Sequence, residues 1–281
     1  MKIFICSNNT QQIGAKVARH CILKRTDLDM HDVEIILEED YSEMQNFFSK
    51  PYLRHGRMET FKKNDMQSFT LLRFHIPKLM NFEDKAIVMD PDIFLVRSGF
   101  EYLKSLSFDK FSIYARRGLK NNSWGSSLML LSCNQLKHWS LENIISSLHS
   151  GSIDYDDLIN LRLENNEIGE LEKKWNDFDE LNDRTIFLHT TEKRTQPWRA
   201  GLKLDSSIPP VLKYIPRAPI YKLLGKDLTI GIEHPNNEIT KFFMRELADC
   251  LENEIITYEE ISHAVKMKHM RSDIFDILKQ Y

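Results

Sequence analysis

Apolar runs and helical stripes alternate along the first 200 residues. KIFIC opens as a strand, and the polar group SNNTQQ parts it from IGAKVARHCILKR, where Ile13, Val17 and Cys21 recur every four residues on one helical face. VEIIL, residues 33 to 37, is a second strand. Strand, helix and strand within forty residues predict an α/β unit with parallel strands. MQSFTLLRFHIPKLM predicts a helix halted near Pro77. It feeds KAIVMDPDIFLV, in which Ala86 to Met89 form the continuous apolar run of a strand buried on both faces. FSIYA and SSLMLLS are further strands, HWSLENIISSLHS a helix, and TIFL a short strand. FFSKPYLRHGRMETFKKND mixes aromatic and basic residues with little periodicity and predicts a loop.

After about residue 200 the texture changes. Prolines cluster at Pro209, Pro210, Pro216 and Pro219, and two helices follow. In the first, Ile239, Phe243, Leu247 and Leu251 repeat at helical spacing behind Asn237. In the second, Thr257 and Glu260 form a capping box. Residues 1–200 are therefore read as one α/β domain and residues 201–281 as a mainly helical extension. The apolar stripes of the two helices fit core packing or a homodimer contact. Tyr214, Arg217, Tyr221, Lys222 and Lys226 are open to two readings, a peripheral patch on the inner membrane face or a loop packed on the core; the prolines favour the loop.

Composition narrows the classes. A chain of 281 residues with 42% hydrophobic content builds a sizeable core. The net charge of -3 supplies no global basic field for nucleic acid. No stretch approaches the ~20 apolar residues of a membrane span. Cys6, Cys21, Cys133 and Cys250 are scattered without a C-x-x-C pair, which fits reduced thiols in a cytoplasmic protein.

The chemistry concentrates at Asp90-Pro91-Asp92. Ligands of open α/β sheets bind beyond the carboxyl ends of the strands, and two carboxylates stand at such an end here. They repel unless a cation joins them, and hard oxygen donors suit Mn²⁺ or Mg²⁺. The competing reading is a solvated turn, for which Asp and Pro are favoured residues. His189, at the end of TIFL, makes a second candidate ligand and tilts the choice toward Mn²⁺. Lys193, Arg194 and Arg199 in the loop that follows are placed to neutralise phosphate, or belong to an ordinary solvated loop.

Taken in order, KIFICSNN, LLRFHIPKLM before AIVMDPDIFLV, IDYDDLIN and HTTEKRTQPW resemble the GT-A-fold glycosyltransferases of family 8, which includes glycogenin and the bacterial lipopolysaccharide galactosyltransferases. The resemblance spans residues 1 to about 200. It implies a Rossmann-like mixed sheet flanked by helices, and a hexosyltransferase that takes a nucleotide diphosphate sugar, a UDP-hexose, to a glycan or glycoconjugate acceptor with retention of configuration. By the same resemblance, Ile5, Cys6, Ser7 and Asn8 cradle base and ribose, Arg73 contacts the donor and the metal-site groups, and Asp90, Asp92 and His189 hold Mn²⁺. Asp156 and Asp157 take the places of a glutamine and an aspartate facing the transferred sugar, and Lys193 serves the phosphates. The pattern departs from the family at Tyr155, Gly125, Ser127 and Gln196, in a divergent branch. Asp154, Asp156 and Asp157 also read as an acidic helix N-terminus. Two other functions share the residues: a sugar nucleotidyltransferase, which usually carries a glycine- and base-rich N-terminal loop absent from SNNTQQIG, and a nucleotide-binding module without catalysis.

Overall fold

The computed structural model describes residues 1–63, 65–118, 123–164, 167–204 and 228–281. The proline cluster and the basic-aromatic stretch from Tyr214 to Lys226 lie outside the described residues. Two compact units emerge. The first comprises Met1–Asp177 with Asn182–His189, and the second Phe178–Leu181 with Thr190–Tyr281.

The first unit is built on a six-stranded mixed sheet. β1 (Lys2–Ser7) lies between β2 (Val33–Leu37) and β5 (Lys85–Met89), parallel to both. Beyond β5 run β8 (Trp124–Ser132), β7 (Ile113–Arg117) and β9 (Ile168–Leu171), with β8 antiparallel to its two neighbours. The apolar runs are the buried strands: Ala86, Ile87, Val88 and Met89 are fully enclosed, as are Leu128 to Leu131. Helix α1 (Gln12–Arg25) returns the chain from β1 to β2 and buries Val17, Ala18, Cys21 and Ile22. This is the parallel β-α-β unit that the four-residue repeat predicts. All four cysteines are buried and free.

Two segments differ from the sequence reading. MQSFTLLRFHIPKLM is not one α-helix. It is a 3₁₀ stretch, Ser68–His75, followed by the short α3 (Ile76–Leu79), and Pro77 opens that helix instead of halting it. Proline fits a first turn because its missing N–H would be unpaired there anyway. Ser68 to Pro77 are buried without a break, so no solvent face is left to print a helical period.

The stretch read as a loop contains the hairpin of β3 (Pro51–Arg54) and β4 (Arg57–Thr60), preceded by α2 (Ser42–Phe47). All four β4 residues are exposed, which erases the alternation that marks strands. His55 and Gly56 make its two-residue turn with φ of 54° and 70°, the positive pair of a type I′ turn. Gly56 adopts this freely; His55 is held in it by contacts described below.

In β7 the pairing jumps from Ala115↔Met129 to Arg116↔Gly125. Ser126, Ser127 and Leu128 therefore have no β7 partner in the register. Bulges of this kind bend a strand and re-aim its side chains. The short β6 (Ile93–Leu95) follows the D-P-D turn and pairs antiparallel with β10 (Phe187–His189).

In the second unit, α7 (Asn237–Glu252) is capped by Asn236, one residue earlier than expected, whose Oδ1 accepts from the Glu238 N–H at 3.0 Å. Ile239, Phe243 and Leu247 are buried; at the last turn Cys250 takes the interior place instead of Leu251. Helix α8 (Tyr258–Lys266) carries the predicted capping box: Thr257 Oγ1 accepts from the Glu260 N–H at 3.1 Å, and Glu260 Oε2 from the Thr257 N–H at 2.9 Å. Trp198 packs on Phe243 at 4.6 Å between ring centroids. Among the described residues no helix is long and apolar enough to cross a membrane.

Candidate functional site

β5 ends at Met89, and the next residue leaves the strand with its backbone still tied: the Asp90 N–H donates to the Ser127 carbonyl at 2.9 Å. Asp90 and Asp92 are 7% and 9% exposed. That burial removes the solvated-turn reading, since carboxylates so enclosed require compensating partners.

Asp90 has its partner in Arg73. The guanidinium grips it in a fork, Nε to Oδ1 at 2.9 Å and Nη2 to Oδ2 at 2.5 Å, while Nη1 donates to Ser126 Oγ at 2.6 Å. Ser126 Oγ in turn donates to the Ile159 carbonyl at 2.6 Å. Arg73 thus fixes Asp90 and ties the sheet end to the D-Y-D-D turn. Burial pushes the Asp90 carboxyl up to about 6, against the pull of Arg73, with the adjacent Asp92 adding to the rise.

β10 delivers His189 opposite this pair, pairing with Ile93 just past Asp92. One donor atom from each of Asp90, Asp92 and His189 lies within 4.8 Å of the other two. His189 Nε2 stands 3.4 Å from Asp92 Oδ1. On the far side of the ring, Nδ1–H donates to Asn176 Oδ1 at 2.9 Å, and Asn176 Nδ2 donates to Ser127 Oγ at 3.1 Å. Asn176 is fully buried, and its own carbonyl accepts from Arg116 Nη1. With Nδ1 occupied as a donor, the Nε2 lone pair faces the aspartates, the tautomer a metal-ligating imidazole needs. Two carboxylates and one imidazole within this span fit a divalent cation such as Mn²⁺.

Asn176 and Ser126 were not singled out by sequence reading. Their roles depend on a bulge and a loop crossing that carry no spacing signal. Ser127, read only as a departure from the family pattern, holds Asn176.

Ile5 and Cys6 are fully buried; Ile5 pairs with both β2 and β5, and Cys6 with β2. Asn8 sits at the strand end: Nδ2 donates to Ser68 Oγ at 3.0 Å and Oδ1 accepts from the Gln11 N–H at 3.1 Å. Ser7 Oγ stays local, donating to the Asn8 carbonyl at 3.2 Å. Glu38, at the end of β2, accepts from Ser68 Oγ at 2.7 Å; burial raises its carboxyl to about 8, so it is a neutral acid at neutral pH.

After α4 (Glu101–Ser105) and α5 (Leu141–Ser150), Asp154 caps α6 (Tyr155–Ile159), accepting from the Asp156 N–H at 2.8 Å, as the acidic N-terminus reading anticipates. It also accepts from the Gly56 N–H at 2.7 Å, and Asp156 pairs with His55 Nδ1. These two contacts hold the hairpin tip in its positive-φ turn. Asp157 points elsewhere, to Arg162 at 2.8 Å. Lys193 is half-buried and belongs to the second unit, as does Gln196, whose side chain donates to the Thr190 carbonyl at 3.1 Å.

No protein-family model and no curated protein sequence matches the chain. Its three-dimensional structure is similar to solved glycosyltransferases. With GlyE of Streptococcus pneumoniae TIGR4 it shares a TM-score of 0.53 at 13% identity, over 91% of this chain and 65% of that one. The chain thus spans less than two thirds of GlyE. With an active-site mutant of LgtC the TM-score is 0.50 at 11% identity, over 86% of this chain and 100% of that one. The mixed sheet flanked by helices is the GT-A glycosyltransferase fold.

Proposed function

We propose that the protein is a metal-dependent glycosyltransferase that moves a hexose from a nucleotide diphosphate sugar, a UDP-sugar, to a glycan, lipid-glycan or protein acceptor. The observation that carries this reading is the convergence of Asp90, Asp92 and His189 at the carboxyl end of β5, in a GT-A sheet. The similar structures are those of glycosyltransferases, which supports the reaction class. Retention of configuration follows from the family 8 resemblance alone.

Asp90, Asp92 and His189 would hold the cation, which supplies Lewis-acid stabilisation of a departing diphosphate when bound. The residues around them prepare that site. Arg73 keeps Asp90 in one rotamer. Asn176 fixes the His189 ring and keeps its proton on Nδ1. Asn8 and Ser7 shape the end of β1, where base and ribose would lie. Asp156, fixed by His55, would face the transferred sugar. The buried free thiols support a reducing compartment.

Thermal-shift titration of UDP-glucose and UDP-galactose, each with MnCl₂ and with EDTA, tests the donor. A ligand that prefers the folded state at one hundred times its Kd stabilises it by about 2.7 kcal/mol. Stabilisation that needs both the UDP compound and the metal, with UDP release on turnover, is the expected result. Absence of any metal-dependent shift would abolish the donor assignment.

A further inference from the structure

The guanidinium of Arg54 is enclosed without its full complement of partners. Two other enclosed arginines set the comparison: Arg73 is forked onto Asp90, and Arg271 contacts both Glu233 and Asp273 at 2.6 Å. Arg54 has no such carboxylate. Its side chain is 15% exposed, and among the described residues its one hydrogen bond runs from Nη1 to the neutral Tyr52 hydroxyl at 3.2 Å. The nearest carboxylate oxygen, on Asp65, stands 4.0 Å away on a side chain 28% exposed. Nε is buried with no hydrogen-bond partner among the described residues. The guanidinium carbon lies 4.8 Å from the centre of the Tyr155 ring, a contact that stabilises a cation without accepting its protons. A largely enclosed positive charge left this short of acceptors is costly unless a negative group completes it.

The position says which group. Asp65 receives the Asn8 amide at 3.3 Å, so one side of Arg54 adjoins the end of β1. Tyr155 opens α6, whose Ile159 carbonyl is tied through Ser126 to the Arg73 guanidinium, so the other side adjoins the anchor of Asp90. The hairpin turn that carries Arg54 is fixed by Gly56 on Asp154 and His55 on Asp156. Arg54 is therefore a cation held on a docked element between the strand end and the sugar-side turn.

Resting on the glycosyltransferase reading, we propose that Arg54 binds an anionic oxygen group of the donor, either the diphosphate or the carboxylate of a uronic acid sugar. A planar guanidinium fork suits both.

Isothermal titration of the full chain with MnCl₂ compares wild type and R54Q against UDP, UDP-glucose and UDP-glucuronate. A diphosphate contact weakens all three by at least tenfold in R54Q. A sugar carboxylate contact weakens UDP-glucuronate by that factor and leaves UDP and UDP-glucose unchanged. Equal affinities of the two proteins for every compound overturn the proposal while the donor reading stands. If wild type binds no UDP compound, the donor reading falls, and inorganic pyrophosphate titrated in EDTA still decides Arg54: saturable binding lost in R54Q supports it, and identical or absent binding overturns it. Should R54Q fail to fold, R54K keeps the charge and removes the fork, with the same tenfold loss expected and unchanged affinity overturning the role.

Discussion

Asp92 and His189 stand on separate strands, and each contributes one donor to the candidate metal centre. Asp92→Asn should lower Mn²⁺ affinity by two orders of magnitude or more without unfolding the protein, measurable by competition with a metal-chelating dye. Asn176→Ala acts one step removed. It frees the imidazole to rotate and change tautomer, so a 10- to 100-fold loss of Mn²⁺ affinity is expected, the range seen when such an outer partner is removed. Asn176→Asp would restore much of it by again accepting from Nδ1. An unchanged affinity in Asn176→Ala would show that the ring is held some other way. Titration adds a pH signature. Because burial sets Asp90 near 6 before a cation arrives, protons compete with metal below that value. Mn²⁺ affinity should rise from pH 5 to 7 and level off above.

Glu38 makes an independent prediction about stability. Its carboxyl titrates near 4.5 unfolded and near 8 folded. The folded state therefore binds the extra proton between those values, and stability falls as pH rises from about 4.5 to 8. Glu38→Gln removes this slope, which on the scale of 1.36 kcal/mol per pKa unit is on the order of a few kcal/mol. Denaturant midpoints of the two proteins at pH 5, 7 and 9 compare the slopes directly.

At the scale of elements, local chemistry and tertiary contact divide the work unevenly. The capping box of α8 is complete within four residues, and Thr257→Ala should cost about 1 kcal/mol. β9 depends on its neighbour: a Cβ on Gly169 would stand 2.3 Å from the Tyr114 ring, which faces it across the pair. Gly169→Ala should destabilise by about 1–3 kcal/mol through that overlap, visible as a lowered melting temperature. α1, β1, β2 and β5 were legible because their repeats face one core. The 3₁₀ stretch and the hairpin were not, for opposite reasons. One is buried all round and prints no period, while β4 is exposed all along and prints none either.

Across the whole molecule, the site lies where the order of the sheet brings chain segments together. Asp90 and His189 are separated by 99 positions in sequence, and the antiparallel pairing of β6 with β10 cancels that distance. The likeness to GlyE, at 13% identity, is a likeness of fold.

The amino-acid order alone determined the parallel opening unit, the strand that runs into two aspartates, the histidine opposite them and the capped helices of the second unit. Each is a matter of local periodicity or of a few adjacent residues. Only the folded structure decided that the aspartates are enclosed, that Asn176 sets the imidazole proton, that Asp156 is paired with His55, and that Arg54 stands 4.0 Å from the Asp65 carboxylate. Those properties depend on solvent exclusion and on contacts between distant segments, and neither is written in neighbouring residues.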